Sequence, residues 1–136
     1  MKCSTYLRDS YEVTISVYAR NCPSRQILDR IGDTWSVLIV GSLAGGPLRY
    51  SELAARIEGV SPKMLTQTLR GLERDGMIGR TVFPVVPPHV EYELTGLGRS
   101  LLSLVSGLEA WAEEHISDVA AARGAFDTRA RAGATG

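Results

Sequence analysis

The first part of the chain passes from an alternating to a helical hydrophobic pattern. Over residues 11–18 apolar and polar side chains alternate, and β-branched residues are frequent, so this segment is predicted to be a short strand or an extended arm. Pro23 then suits the first turn of a helix, and Gly32 interrupts that helix. Its apolar face is formed by Ile27, Leu28 and Ile31.

Two further helices are predicted before residue 58. The second helix runs from about Thr34 to Leu43 and ends at the helix-breaking Gly45-Gly46-Pro47 segment. Its inward-facing residues are expected to be Trp35, Leu38, Ile39 and Ser42. After an extended stretch over residues 48–50, Ser51 is predicted to cap a short third helix over residues 52–57. The inward-facing residues of this third helix are expected to be Leu53, Ala54 and Ile57.

The fourth predicted helix has strong signals at both of its ends. Ser61 supplies a capping hydroxyl, and Pro62 suits the first helical position. Gly76 ends the helix after Asp75. A turn that contains glycine, residues 58–60, joins it to the third helix. Two short helices joined by such a turn form a helix-turn-helix pattern.

The remainder of the chain predicts a β-hairpin followed by a long helix. Residues 77–83 and 90–94 are predicted strands, and the proline-rich residues 84–89 form a stiff loop between them. Thr95 is predicted to cap a final helix that reaches about Ala122. An apolar stripe with the spacing of a heptad repeat runs along this helix. It consists of Leu97, Leu101, Leu104, Leu108 and Trp111.

Together these elements predict a mainly helical α+β fold, a winged helix-turn-helix with flanking dimerisation helices. We divide the chain into an N-terminal arm of residues 1–20, a winged helix-turn-helix domain of residues 21–122 and a mobile C-terminal tail of residues 123–136. The dimerisation helix covers about residues 95–122. Because a helix this apolar must pack on its own domain or on a second subunit, we expect a homodimer, with help from residues 11–31.

The composition is that of an ordinary globular protein. The chain has 136 residues, of which 44% are apolar and 22% are charged. Its longest apolar run is far shorter than the ~20 residues that a bilayer span needs. The N-terminal residues show no apolar segment typical of a secretory signal, and the two cysteines are Cys3 and Cys22. We therefore predict a cytoplasmic protein without membrane contact.

Charge is balanced overall but segregated along the sequence. The chain holds 15 basic and 15 acidic residues. Residues 49–80 carry six basic and four acidic side chains, whereas residues 81–122 carry one basic and six acidic ones. One segment is thus suited to face a polyanion while the other faces away from it, although solvated surface faces would give the same pattern.

The fourth helix has the side-chain distribution of a helix that enters a DNA groove. At ~100° per residue, Leu65, Leu69 and Leu72 share one side. The opposite side holds Lys63, Gln67, Arg70 and Arg74, with Thr66 beside them. Arg and Lys pair with phosphates or guanine, and Gln reads adenine in the major groove. An ordinary amphipathic surface helix would also carry its charges outward.

Position along that helix separates two kinds of DNA contact. The N-terminal residues of such a helix usually reach base edges. The residues favoured for this role are Ser61, Lys63, Thr66 and Gln67. Arg70 and Arg74 lie further along and are expected to hold the DNA backbone. The hairpin adds Arg80 and His89, since a wing lies against the backbone or enters the minor groove; a purely structural hairpin would only close the core.

Several short motifs together resemble the HxlR-type winged helix-turn-helix transcriptional regulators, relatives of the MarR proteins. They are Cys22-Pro23, Ile31-Gly32-Asp33-Thr34-Trp35, Tyr50-Ser51-Glu52-Leu53, IEGVSPKMLTQTLRGLERDG from Ile57, Val86-Pro87-Pro88-His89-Val90-Glu91-Tyr92, and Leu94-Thr95-Gly96-Leu97-Gly98. The resemblance extends from Cys22 to about Trp111. Thr34 stands where the family usually has a basic residue, and Gly96 stands where it often has proline.

The resemblance implies a dimeric repressor or activator whose partner is double-stranded operator DNA. Carried over by position, the DNA contacts are Ser61, Lys63, Thr66, Gln67 and Arg70, with the wing near His89. No catalytic triad, paired carboxylates or phosphate-binding loop stands out, so we predict no enzymatic activity and no cofactor. Cys3, Cys22, His89 and His115 lack the spacing of metal ligands, so no metal site is predicted.

Cys22 is the candidate for a chemical switch. It precedes a helix start, where free N–H groups and the helix dipole favour a thiolate, and Arg20 and Arg25 flank it. Several proteins of the family that the chain resembles use a cysteine at this place to sense oxidants or electrophiles. Cys3 is a candidate resolving partner. The simpler alternative is a small buried residue with an inert thiol.

Two other functions are consistent with the same elements. A small ligand at the dimer junction, near Trp35 and the last helix, would replace the thiol as the effector. A winged helix that binds proteins would have lost DNA binding altogether. The outward cations of the fourth helix argue against this second alternative, because protein-binding faces more often carry aromatic residues.

Overall fold

The computed structural model describes the backbone of residues 2–8, 11–16 and 23–134 and the side chains of residues 23–133. The chain forms two compact units, Met1–Leu102 and Ser103–Gly136. The first unit contains a small hairpin, four helices that lead into a three-stranded sheet, and a short fifth helix. The second unit is one long helix. No helix in the described part of the chain is long and apolar enough to cross a membrane.

The N-terminal residues form a two-stranded antiparallel hairpin. Strand β1 (Lys2–Arg8) pairs with β2 (Tyr11–Ser16), so that Thr5 lies opposite Thr14. The strand predicted within residues 11–18 is therefore confirmed over β2, and residues 17 and 18 lie outside the described residues. The sequence did not predict β1, because its apolar and polar residues do not alternate.

Helices α1 (Pro23–Ile31) and α2 (Thr34–Ser42) are separated by Gly32 and Asp33, and the Asp33 side chain accepts a hydrogen bond from Trp35 N over 3.3 Å. A 3-10 turn (Leu43–Gly45) follows α2.

The prediction of which face of α2 is buried was partly wrong. Trp35 is half-buried and Leu38 is exposed, whereas the buried residues are Ser36, Ile39, Val40, Ser42 and Leu43. Because residues 37–40 are apolar on every side of the helix, periodicity alone does not select a face.

Helix α3 (Tyr50–Arg56) begins two residues before its predicted start. Glu52 Oε1 accepts a hydrogen bond from the backbone N–H of Arg49 over 3.0 Å, so Arg49 rather than Ser51 is the N-cap residue. Leu53 and Ile57 are buried as predicted, but Ala54 is exposed. The side chain of Glu52 reaches back to the cap from the first turn, which is how an acidic residue stabilises a helix N-terminus.

Helix α4 (Pro62–Arg74) has the predicted ends and the predicted buried face. Ser61 Oγ accepts from Met64 N over 3.1 Å, and Gly76 follows the helix with a left-handed φ of 77°. Leu65, Leu69 and Leu72 are at most 1% exposed. Full burial of three leucines fixes the rotation of α4 about its axis, and this rotation decides which side chains face solvent.

The three-stranded sheet is antiparallel, in the order β3-β5-β4. Its strands are β3 (Leu48–Arg49), β4 (Ile78–Phe83) and β5 (His89–Leu94). Strands β4 and β5 are the hairpin predicted to follow the helix-turn-helix, and Phe83 lies opposite His89 at the start of the loop. This arrangement of helices and hairpin confirms the predicted α+β winged helix-turn-helix.

The predicted final helix is in fact two helices. Thr95 caps the short helix α5 (Gly96–Arg99), where its side chain accepts from Gly98 N over 3.1 Å. A Cβ at Gly98 would overlap the carbonyl oxygen of Met77, so α5 approaches the backbone closely there. Helix α6 (Leu102–Ala134) then extends well beyond the predicted end near Ala122. The predicted end of the helix was therefore too early, because alanine is frequent in this segment and is the strongest helix former.

Candidate functional site

Helix α4 presents a polar surface to solvent on the side opposite its buried leucines. We define the outer face of α4 as Lys63, Thr66, Gln67, Arg70 and Arg74. All five side chains are exposed, as the sequence predicted. Three of them are cations and none is acidic, so the face has a local positive charge although the whole chain is neutral. Such a face can pair with phosphates and can hydrogen-bond to base edges.

The N-terminal end of α4 is held by a residue that sequence analysis did not select. Tyr50 Oη donates a hydrogen bond to Pro62 O over 3.3 Å and lies 3.4 Å from Thr66 Oγ1. Tyr50 belongs to α3, so this contact connects the two helices of the helix-turn-helix where the outer face begins. The motif Tyr50-Ser51-Glu52-Leu53 pointed to this region, but the predicted helix started too late for Tyr50 to be placed near α4.

Two of the predicted contact residues also have structural roles in this end of the helix. Ser61 is exposed, but its Oγ already accepts the capping hydrogen bond from Met64 N. Thr66 is exposed next to Tyr50 Oη. Among the polar residues in the first two turns of α4, Lys63 and Gln67 have no described hydrogen bond to the protein. Their side chains are therefore available to bind a ligand.

The two predicted wing residues lie in different parts of the hairpin. Arg80 lies on β4 opposite Tyr92 and is exposed. His89 lies at the first position of β5 rather than in the loop, where its half-buried ring stacks on Phe83 with centroids 4.8 Å apart. The loop between the strands instead exposes apolar side chains, and Val86 is completely exposed. His89 therefore belongs to the paired strands at the loop end of the hairpin, while Arg80 is an exposed cation on β4.

Helix α6, taken by itself, has an apolar stripe longer than predicted. Leu104, Leu108 and Trp111 are 60%, 54% and 57% exposed. Phe126, which the sequence analysis had assigned to the tail, is 63% exposed and lies five helical turns after Leu108 on the same side. The two earlier members of the predicted stripe belong to the preceding segment: Leu97 is exposed on α5, and half-buried Leu101 lies between α5 and α6.

Cys22 and its neighbour Arg20 lie outside the described residues. Within residues 23–133, no cluster of His, Cys, Asp and Glu is arranged to hold a metal ion. An open cavity of about 330 Å³ lies beside the 3-10 turn. It is lined by Gly41, Ser42, Ala44, Gly45, Gly46, Pro47, Leu48 and Arg56. This cavity does not include Trp35, beside which the alternative of a small ligand at the dimer junction would place its site.

Comparison with known proteins gives consistent matches over most of the chain. The profile of the HxlR-like helix-turn-helix family matches residues 30–120. YtfH of Escherichia coli K12, an uncharacterized HTH-type transcriptional regulator, is 45% identical over 108 residues, which span 79% of this chain and 86% of YtfH. The solved structure of ytfH from Salmonella typhimurium has a TM-score of 0.75 at 44% identity, covering 79% of this chain and 96% of that one. The redox regulator HypR in its oxidized form has a TM-score of 0.64 at 38% identity, covering 68% and 96%.

Proposed function

Since the chain belongs to the HxlR-like helix-turn-helix family and is a transcriptional regulator rather than an enzyme, we propose that it binds operator DNA through the outer face of α4. The observation that carries this proposal is the five exposed polar side chains opposite three fully buried leucines. The leucines prevent α4 from rotating, so the same five side chains always face outward.

The outer face has two regions with different roles in this proposal. Lys63 and Gln67, in the first two turns, hydrogen-bond to base edges in the major groove. Arg70 and Arg74 follow on the next two turns and pair with phosphates, which supplies affinity that depends on salt. Arg80 on β4, in the wing, adds a contact to the DNA backbone.

The composition of this face supports DNA rather than a protein as its partner. Interfaces between proteins are enriched in aromatic residues and depleted in lysine at their centres. None of the five side chains of the outer face is aromatic, and three are cationic. A protein-interaction winged helix would need a different surface on α4.

Substitutions at the two regions are expected to have different effects. Gln67→Ala should relax base preference at one position of each half-site and cost about tenfold in operator affinity, because one bidentate base contact is worth about 1–3 kcal/mol. Arg74→Ala should weaken binding to all duplexes alike and reduce the slope of log affinity against log salt by about one per protomer. Both effects can be measured on duplexes selected from a randomised pool and on their single-base variants.

The control for this pair is Glu73→Ala, which truncates an exposed side chain of α4 that is not part of the outer face. Its base preference should equal that of the wild type. Unchanged base preference in Gln67→Ala together with an unchanged salt slope in Arg74→Ala would show that another surface contacts DNA.

We also propose that two copies bind together through α6. The exposed apolar residues Leu104, Leu108, Trp111 and Phe126 recur along one side of a helix about 50 Å long. A stripe of this length is larger than the scattered apolar residues of a monomer surface and needs a partner surface. Two-fold helix-turn-helix dimers read half-sites ~34–36 Å apart, one turn of DNA.

The effector in our proposal is an oxidant or electrophile that reacts with Cys22 in the cytoplasm. Two findings support this: Cys22 directly precedes α1, and HypR, a redox regulator, has the same fold at 38% identity. Diamide is expected to weaken operator binding of the wild type but not of Cys22→Ser. The measurement is operator affinity before and after diamide, with reversal by a thiol reductant.

Cys3→Ser distinguishes the route of oxidation. If Cys3 is the resolving thiol, Cys3→Ser loses the disulfide form detected by non-reducing electrophoresis; if it is not, the variant responds to diamide as the wild type does. Equal loss of operator binding by the wild type and Cys22→Ser would refute the thiol switch and leave a ligand-controlled regulator.

A further inference from the structure

Helix α1 contacts the C-terminal end of α4 through a polar pair. Arg30, in the last turn of α1, donates from Nε to Asp75 Oδ2 over 3.0 Å. Asp75 is the C-cap residue of α4. Both side chains are partly screened from solvent, with 29% and 28% of their surfaces exposed. The pair joins two elements far apart in the sequence, at the end of the helix that bears the outer face.

Gly71 provides the space in which the Arg30 guanidinium lies. A Cβ built on Gly71 would overlap Nη1, Cζ and Nη2 of Arg30. Gly71 sits inside α4, and its φ is not in the left-handed region, so the backbone does not require glycine there. Glycine in a helix interior is less favourable than alanine. What this glycine provides is room for the guanidinium to cross the helix surface and reach Asp75.

The Arg30–Asp75 pair matters because α1 has little apolar anchorage among the described residues. None of the residues of α1 is buried, and Ile27 and Leu28 are 44% and 55% exposed. Hydrophobic burial therefore fixes α1 only weakly. The Arg30 contact is a specific, directional link between α1 and the C-terminal end of α4.

We propose that Arg30, Gly71 and Asp75 form a clamp by which α1 holds the C-terminal end of α4 in the orientation needed for operator binding. This inference rests on the proposed DNA-binding function. Arg70 directly precedes Gly71, and Arg74 directly precedes Asp75. A displacement of the clamp therefore moves both phosphate-binding cations of the outer face. Arg30 acts here as a positioning residue and does not itself touch DNA.

Gly71→Ala tests the clamp without removing a charge. Its methyl group displaces the flexible end of Arg30, while alanine favours the helical state of α4. We expect an unchanged or higher melting temperature together with a roughly three- to thirtyfold loss of operator affinity, the range for residues that act through a coupled element. Because Arg70 and Arg74 are the proposed phosphate contacts, affinity for a scrambled duplex should fall by a similar factor, and the slope of log affinity against log salt should become shallower. A purely structural role would lower the melting temperature and leave the salt slope unchanged.

Arg30→Ala completes the test. In the double variant Gly71→Ala/Arg30→Ala, the loss of operator affinity should equal that of Gly71→Ala alone, because both changes break one contact. Gly124→Ala is the matched control, since Gly124 lies in α6 with no atom within 4 Å of an added Cβ. It should bind the operator as the wild type does.

The two ways in which the idea can fail are distinguishable. Wild-type discrimination between operator and scrambled duplex, together with wild-type operator affinity and wild-type salt slope in Gly71→Ala, would overturn the clamp and leave the proposed function standing. Additive losses in the double variant would also overturn it. Absence of discrimination by the wild type itself would overturn the proposed function, and the clamp with it.

Discussion

Replacing Leu108 by glutamate is expected to convert the proposed α6 dimer into a monomer and to weaken operator binding by about a hundredfold or more, because the second half-site then binds independently. Leu108 is 54% exposed in the middle of the α6 stripe. In a dimer this position becomes buried, and an unpaired carboxylate buried there is strongly unfavourable. Analytical ultracentrifugation gives the oligomeric state, and fluorescence anisotropy gives the operator affinity.

Ala110→Glu is the matched control for this prediction. It adds the same charge to the same helix, but on the side opposite the stripe, where residue 110 is exposed. Its oligomeric state and operator affinity should match those of the wild type. A Leu108→Glu protein that stays dimeric would refute the assignment of the interface to this stripe.

Removing Lys63 and Arg70 together should cause the second large loss. The double alanine variant is expected to lose at least about a hundredfold in operator affinity, since each contact to a base or phosphate contributes about 1–3 kcal/mol and both protomers carry the change. Its melting temperature should stay close to that of the wild type, because both side chains are exposed on α4. Anisotropy at several salt concentrations measures the affinity and its salt dependence.

The control must remove the same net charge from another place. Arg99→Ala/Arg123→Ala does so with two exposed arginines on α5 and α6. If this control loses as much affinity as Lys63→Ala/Arg70→Ala, overall charge rather than the outer face of α4 determines binding. We expect the control to keep most of the wild-type affinity.

Helix α4 was predictable because its determinants are local. Ser61 and Pro62 signal its start, Gly76 signals its end, and three leucines at helical spacing identify the buried side. The exposed outer face follows from these signals without any knowledge of the tertiary structure. The strands of the hairpin were predictable for the same reason, since proline-rich residues separate two apolar segments.

Other features depend on contacts that a local pattern does not encode. The apolar residues of α2 surround the helix, so only tertiary packing decides that Ile39 is buried while Leu38 is exposed. The contact of Tyr50 with Pro62 and Thr66 requires the exact start of α3. The ion pair of Arg30 with Asp75 joins residues that are 45 positions apart. The continuation of α6 beyond residue 122 was not predicted, because the residues there are small and resemble those of a tail.

Fluorescence anisotropy of the reduced wild-type protein tests most directly whether this chain is a sequence-specific DNA-binding regulator. The two labelled duplexes are the DNA upstream of its own gene and a scrambled sequence of the same composition, each at two salt concentrations. Tight binding that weakens with salt and favours the upstream fragment is the predicted result. Equal, weak binding to both duplexes, together with a randomised pool that yields no preferred sequence, would contradict the claim.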